Sequence, residues 1–381
     1  MKKFILGLGA LPVIASLALL LSGHGYIFTA LARTYLAGHA TANIDDHEVF
    51  DTRSIDAGVA TPWPLHPDYR DTLPEAFAAS LVDGDAVAFL AVHKGELIAE
   101  QYFQGYTADS RTNSFSMAKT VLTMLVGRAL EDGIIDDLEQ PLTALLPEFS
   151  DDPLGQKATL GSLSTMTSGY DWDEHYYSPF SPTVELLYGD DVASFVLEGS
   201  FSHEPATHFY YSSASTQLLA VSLSRALERV RPGTTLSDYL SETLWQPLGM
   251  NDDAVWHTDD EGMELAYCCI NTNARNYAKL GQLLLQDGDW EGKQLIDAGF
   301  VERMRTPRAT DYYGYSTWMN YKADPAFYYF SGHLGQFIIV VPEHELVVVR
   351  LGRSSEGGWK KLEDYVAGAL ALLPEAAPDA T

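Results

Sequence analysis

Gln336-Phe-Ile-Ile-Val-Val-Pro-Glu-His-Glu-Leu-Val-Val-Val-Arg-Leu351 decides how this chain is read. It holds two β-rich runs, Gln336–Pro342 and Glu345–Leu351, dense in Val and Ile and parted by a short turn. Phe327–Phe330 is a third run just upstream, and Trp359–Leu373 reads as a closing helix. Working outward, Ala86–Val92 and Glu96–Phe103 read as a β-hairpin around His93-Lys94-Gly95. Helices fill the space between. Ser116–Glu131 carries Met117, Val121, Leu122, Met124, Leu125 and Leu130 as a buried face, with Ser114 as its expected N-cap and Asp132-Gly133 as its stop. Leu218–Val230 and Ala274–Gln286 are further helices, and residues 137–250 read as mostly helical or irregular. Residues 45–80, with Pro62, Pro64, Pro67 and Pro74, read as loop-rich. Strands at both ends and helices in the middle predict an α+β fold. An antiparallel sheet built from both chain ends makes an α/β sandwich, with a helical lobe inserted at about 110–270.

Composition narrows the function. The 381 residues include 24 Lys+Arg and 52 Asp+Glu, for a net charge of −28. That balance excludes nucleic acid as a partner, because phosphate neutralisation needs clustered cations. The two cysteines, Cys268 and Cys269, are adjacent, so neither a disulfide framework nor a Cys-rich metal site is available. They read as small core residues, since a vicinal disulfide is strained. Asp259-Asp260-Glu261 near His257 completes no ligand spacing, so no metal is expected. No GxxxxGK[ST], HExxH or GxSxG string occurs.

The N-terminus reads as an export device. Lys2 and Lys3 precede Phe4–Leu21, which is apolar apart from Ser16 and about long enough to span a bilayer. An uncleaved signal-anchor within residues 1–40 is preferred on length to a cleaved signal, for which Ala30-Leu31-Ala32 is the nearer small-residue string. A buried soluble helix is the remaining reading. The anchor would place residues 45–375 in the periplasm or outside the cell, held to the inner membrane.

Three strings carry chemistry. Ser116-Met-Ala-Lys119 sets a hydroxyl and an amine on one helix face. A serine needs a base, and a lysine is one only if burial lowers its pKa. A helix N-terminus also favours a developing oxyanion. The string alone is weak: 27 Ser and 10 Lys give about 0.7 chance matches in a chain of this length. Its bland alternative is an amphipathic helix start. Tyr211-Ser-Ser213 offers a phenol that could relay a proton, although, taken alone, a core tyrosine bonded to a backbone carbonyl is the preferred reading of the string. Ser331-Gly-His-Leu-Gly-Gln336 leads into an apolar strand whose glycines permit close approach by a ligand, and a plain turn is the alternative.

Taken in order, these strings resemble the serine β-lactamase and penicillin-binding-protein superfamily, in its class C-like esterase and 6-aminohexanoate-dimer hydrolase branch. The resemblance spans about residues 80–372 and includes Gly133–Pro141, Met166–Glu174, Leu244–Met250 and Asn273–Gln282. It implies Ser116 as the acylated nucleophile, Lys119 as its base and Tyr211 as a second proton carrier. It implies the backbone N–H groups of Ser116 and Gln336 as the oxyanion hole. Tyr176, with Tyr177 as an alternative, matches a substrate-contacting loop tyrosine of that branch, and Trp172, His333 and Gly335 fall in substrate-facing stretches. Departures are informative. His333 stands where β-lactamases usually carry a Lys that holds a substrate carboxylate, and Ser213 stands where the tyrosine motif usually ends in Asn. Glu204-Pro205-Ala206 replaces a usual Pro-Gly. The expected activity is cleavage of a small-molecule ester or linear amide without metal or cofactor. A β-lactamase or D-Ala-D-Ala carboxypeptidase is the alternative enzyme, and a non-catalytic ligand-binding module the alternative outside enzymes. Oligomeric state is left open.

Overall fold

The computed structural model describes residues 13–354 and 361–374. Its centre is a seven-stranded sheet. Across it run Trp318–Asn320, Phe327–Gly332, Gln336–Val341, Leu346–Gly352, Ala86–His93, Glu96–Tyr102 and Leu65–Arg70. Every neighbouring pair is antiparallel except the last, where Leu65–Arg70 lies parallel to Glu96–Tyr102. Both chain ends thus build the sheet, as the sequence predicts. Strand side chains alternate between two cores: Ile338 and Val340 face the helical lobe, while Phe337, Ile339 and Val341 face the closing helix Leu362–Leu370. Burial on both faces explains the unbroken apolar runs. His93-Lys94-Gly95 is the predicted tight turn, with positive φ at Lys94 (51°) and Gly95 (79°).

Several expectations need correction. The loop-rich stretch 45–80 contains strands Thr52–Ile55 and Leu65–Arg70 and a helix, Glu75–Asp83. Pro67 is tolerated because its strand is the sheet edge. Ser114 does not cap the next helix. Met117–Glu131 begins after Ser116, and Ser114 Oγ instead receives the Ile270 amide. The short strands Thr52–Ile55, Ala254–His257, Ile270–Thr272 and Thr112–Asn113, which the sequence reading does not place, form a second, four-stranded sheet at the edges of the helical lobe. Its strands are two to four residues long, too short to show a period. The closing helix is described only over Leu362–Leu370, and the start of the predicted Trp359–Leu373 lies outside the described residues.

Part of the predicted anchor, Phe4–Pro12, also lies outside the described residues. Among those described, no single helix is long and apolar enough to cross a membrane. Val13–Leu21 and Tyr26–Ala37 meet that test only as a pair bent by 117°.

Residues 41–57 form a strap over the second sheet. The Asn113 amide donates to Ile44 O (2.8 Å), the Asn113 side chain to Asp46 (2.9 Å), and Arg353 pairs with Asp45 (3.1 Å). Thr52–Ile55 then pairs with Ala254–His257. Asp46 is buried, and desolvation pushes its carboxyl up to about 7. The adjacent His257 imidazole is pushed down to about 3 by the same cause, so the two meet as uncharged groups between about pH 3 and 7.

Candidate active site

Ser116 ends a tight approach to the helix Met117–Glu131. Phe115 adopts a positive φ of 44°, an uncommon conformation held by its amide bond to Asn113 Oδ1 (2.8 Å). Asn113 belongs to the second sheet, so that sheet fixes the entrance to the helix. The nucleophile candidate is partly exposed, while Lys119, one helical turn on, is only 1% exposed.

Lys119 Nζ has three oxygen neighbours: Ser116 Oγ (3.1 Å), Ser213 Oγ (3.1 Å) and the Tyr267 carbonyl (2.8 Å). Burial pulls its pKa down to about 8, against a smaller opposing effect of the Glu174 charge. The hydrogen-bond directions can be assigned. The Tyr267 carbonyl can only accept. Ser213 donates its own hydroxyl proton to Glu174 Oε1 (2.6 Å), so toward Lys119 it also accepts. A neutral amine has two N–H bonds and one lone pair. As an ammonium Lys119 donates to all three oxygens; once it loses a proton, its two remaining N–H groups can stay on Ser213 and the Tyr267 carbonyl, which turns the lone pair to the Ser116 hydroxyl.

Tyr211 completes the group. Its phenol bonds the Ser116 side chain, its ring lies 5.1 Å from Lys119 Nζ, and burial beside Glu174 pushes its pKa above the ordinary phenol range. It therefore stays protonated. The helix Ser213–Val230, capped by Ser212 Oγ on the Ser215 amide, holds this corner in place.

The C-terminal sheet closes the site. His333–Gly335 is a turn between Phe327–Gly332 and Gln336–Val341, with positive φ at Leu334 (59°) and Gly335 (81°). A Cβ on Gly332 would stand 2.2 Å from the Ser114 carbonyl, so only glycine lets the strand approach the nucleophile's loop this closely. Gln336 is buried, and its side-chain amide bonds the carbonyls of His333 and Gly352, which fixes the first residue of the strand.

Ser116 opens into a cavity of about 310 Å³, walled by Glu174, Tyr176, Tyr211, Trp318, His333 and Phe337. The structure thus brings together Ser116, Lys119, Tyr211, Tyr176, His333 and Gly335. Tyr176 stacks on His333 at 5.5 Å, whereas Tyr177 projects into solvent. Trp172 is not on this wall. It packs against Phe195 and donates its indole N–H to Glu174 (2.6 Å), so it acts behind the site.

Glu174 is the residue that sequence reasoning missed. It accepts from Trp172, from the Tyr176 hydroxyl (2.7 Å), and from both the amide (2.7 Å) and hydroxyl of Ser213. The signal was the serine at 213: where an amide side chain is lost, a second polar group must satisfy the buried amine's neighbour. Trp318 was also missed, since it opens the three-residue edge strand Trp318–Asn320, too short to show a period. The cysteines require a correction. Both are buried, as expected, but their sulfurs are joined in a vicinal disulfide, with Cys269 at a φ of 78°. The connection is accommodated because Cys269 takes the left-handed conformation next to a strand start.

Comparison with known proteins gives the family and the fold. A family model described as Beta-lactamase matches residues 75–373, and the chain belongs to that family. A 6-aminohexanoate-dimer hydrolase of Paenarthrobacter ureafaciens is 28% identical over 225 residues, which cover 56% of each chain. The chain thus matches just over half the length of that curated relative. Among solved structures, a Bacillus anthracis protein assigned as a 6-aminohexanoate-dimer hydrolase superposes with a TM-score of 0.69 at 21% identity, covering 86% of this chain and 92% of that one. A family VIII carboxylesterase gives a TM-score of 0.61 at 16% identity, covering 85% of this chain and all of the other. These two share the fold.

Proposed function

We propose that this β-lactamase-family protein is a serine hydrolase that cleaves an uncharged ester or linear amide through an acyl-Ser116 intermediate. One observation carries the reading: a buried lysine amine, its pKa drawn down to about 8, lies 3.1 Å from a serine hydroxyl on a cavity wall. Neutral Lys119 takes the Ser116 proton as Oγ attacks the carbonyl carbon. The oxyanion is received by the backbone N–H groups of Ser116 and Gln336, aided by the helix N-terminus. The carbon–oxygen or carbon–nitrogen bond then breaks. Tyr211, a protonated phenol beside Ser116, gives its proton to the leaving group and is reprotonated from the Lys119 ammonium. Water attacks the acyl-enzyme by the same path in reverse and releases the acid.

Charge favours an uncharged substrate. Lys119 already faces three protein oxygens, and burial holds the His333 imidazole below its ordinary pKa, hence neutral. Glu174 adds a negative charge to the same wall. A substrate carboxylate, which β-lactams and D-Ala-D-Ala peptides carry, would meet repulsion here. The test is intact-mass detection of the acyl-enzyme across aryl esters, linear amides and β-lactams. Acyl adducts from esters or amides that vanish in Ser116→Ala support the reading. Adducts that persist in Ser116→Ala refute the nucleophile, and turnover of β-lactams alone refutes the substrate class.

A further inference from the structure

Ser116 also borders a second, smaller cavity on the side away from Tyr211. Its wall includes Thr41 and Ala42 of the strap, Leu187, Tyr267 and the Cys268–Cys269 pair. The cavity holds about 80 Å³, the share of roughly three waters at ~30 Å³ each. Its surface is largely apolar, with Thr41, Thr183, Ser213, Tyr267 and His333 adding polar groups. Tyr267 is only 5% exposed, and its hydroxyl has no hydrogen-bond partner among the described residues. A buried donor without a partner is rare and costly, and here it lies on the wall of a space next to the nucleophile.

The leaving group must depart beside its proton donor. Tyr211 lines the large cavity with Trp318 and does not line the small one. The acyl portion, on the other side of the scissile bond, is therefore directed to the small cavity. We propose that this cavity is the acyl pocket. It takes a short uncharged acyl group of about three to four heavy atoms, and the strap residues 41–42, upstream of the matched family region, set the limit. The inference rests on the acyl-Ser116 reading and adds to it the substrate's acyl class and the strap's part in choosing it.

The test is a p-nitrophenyl ester series from acetate to octanoate, with the leaving group held constant and the adduct on Ser116 read by intact mass. Wild-type kcat/KM falls at least tenfold between butyrate and octanoate. Ala42→Trp, which fills the pocket, lowers the butyrate-to-acetate ratio at least tenfold. Leu187→Ala, which enlarges it, raises the octanoate-to-butyrate ratio by a similar factor. A flat chain-length profile, or ratios unmoved by both wall variants while Ser116 still acylates, overturns the pocket and leaves the hydrolase reading standing. Absence of any Ser116 adduct overturns both.

Discussion

Two lysines in this protein are equally buried and serve different ends. Lys119 and Lys279 are each 1% exposed, and burial draws each down to about 8. Lys279 Nζ bonds the carbonyls of Thr61 and Gly249 and joins the 61–64 segment to the end of the Leu244–Met250 turn. Lys119 has a carbonyl and two hydroxyls, one of them on an exposed cavity. A lowered pKa therefore marks burial, not catalysis. The neighbours decide: an amine among carbonyls is a structural clamp, and an amine whose lone pair meets a hydroxyl is a base.

The comparison breaks most visibly under substitution. Lys119→Ala should lower the Ser116 acylation rate by roughly a thousandfold or more, with circular dichroism unchanged, because no other neutral base faces the hydroxyl. Lys279→Met should leave acylation within about threefold of wild type at a temperature where the variant is folded. Its cost should appear in stability, about 1–3 kcal/mol by denaturant titration, because the Thr61 carbonyl loses its lysine donor and the buried Gly249 carbonyl keeps only the Thr61 amide. Equal losses of acylation in both variants would erase the distinction.

Glu174 sharpens it further. Its charge raises the Lys119 pKa, and its bond to Ser213 sets which way the lysine's protons point. Glu174→Gln should move the midpoint of the acylation pH profile to lower pH, since removing an anion favours the neutral amine. Plateau acylation should drop by roughly tenfold, because the amide can donate to Ser213 and release the fixed orientation. A midpoint that moves upward would contradict the assigned electrostatics.

The smallest effect concerns the strap. Folded Asp46 keeps its proton up to about 7, against an ordinary value of 3.8. Between those pH values the folded state binds the extra proton, so stability falls as pH rises through the window and levels off above it. Asp46→Asn removes the titration while keeping an acceptor for Asn113. It should stabilise the protein at pH 8 by on the order of 1–3 kcal/mol and leave it nearly unchanged at pH 4.

What the sequence showed in advance was what short-range pattern can encode. Ser116 and Lys119 lie one turn apart on one helix, and the strands of residues 327–351 are long enough to show their apolar runs. The hidden parts depend on long-range contacts. Ser213 meets Lys119 across 94 positions, and the Tyr267 carbonyl meets it across 148. The strap, the edge strand at 65–70 and the four-stranded sheet are short, proline-interrupted or both, so neither period nor propensity marks them. Adjacency in the sequence shows only the cost of joining the cysteine pair, whereas the left-handed backbone at Cys269 appears only in the fold.

The central claim is that uncharged Lys119 takes the Ser116 proton. The pH dependence of single-turnover acylation, followed by intact mass with an uncharged aryl ester, tests it most directly. The account predicts a rate that rises about tenfold per pH unit below a midpoint near 8 and then levels, with the same midpoint in Lys279→Met. A rate that is flat from pH 6 to 9, or a midpoint that shifts with Lys279, would contradict it.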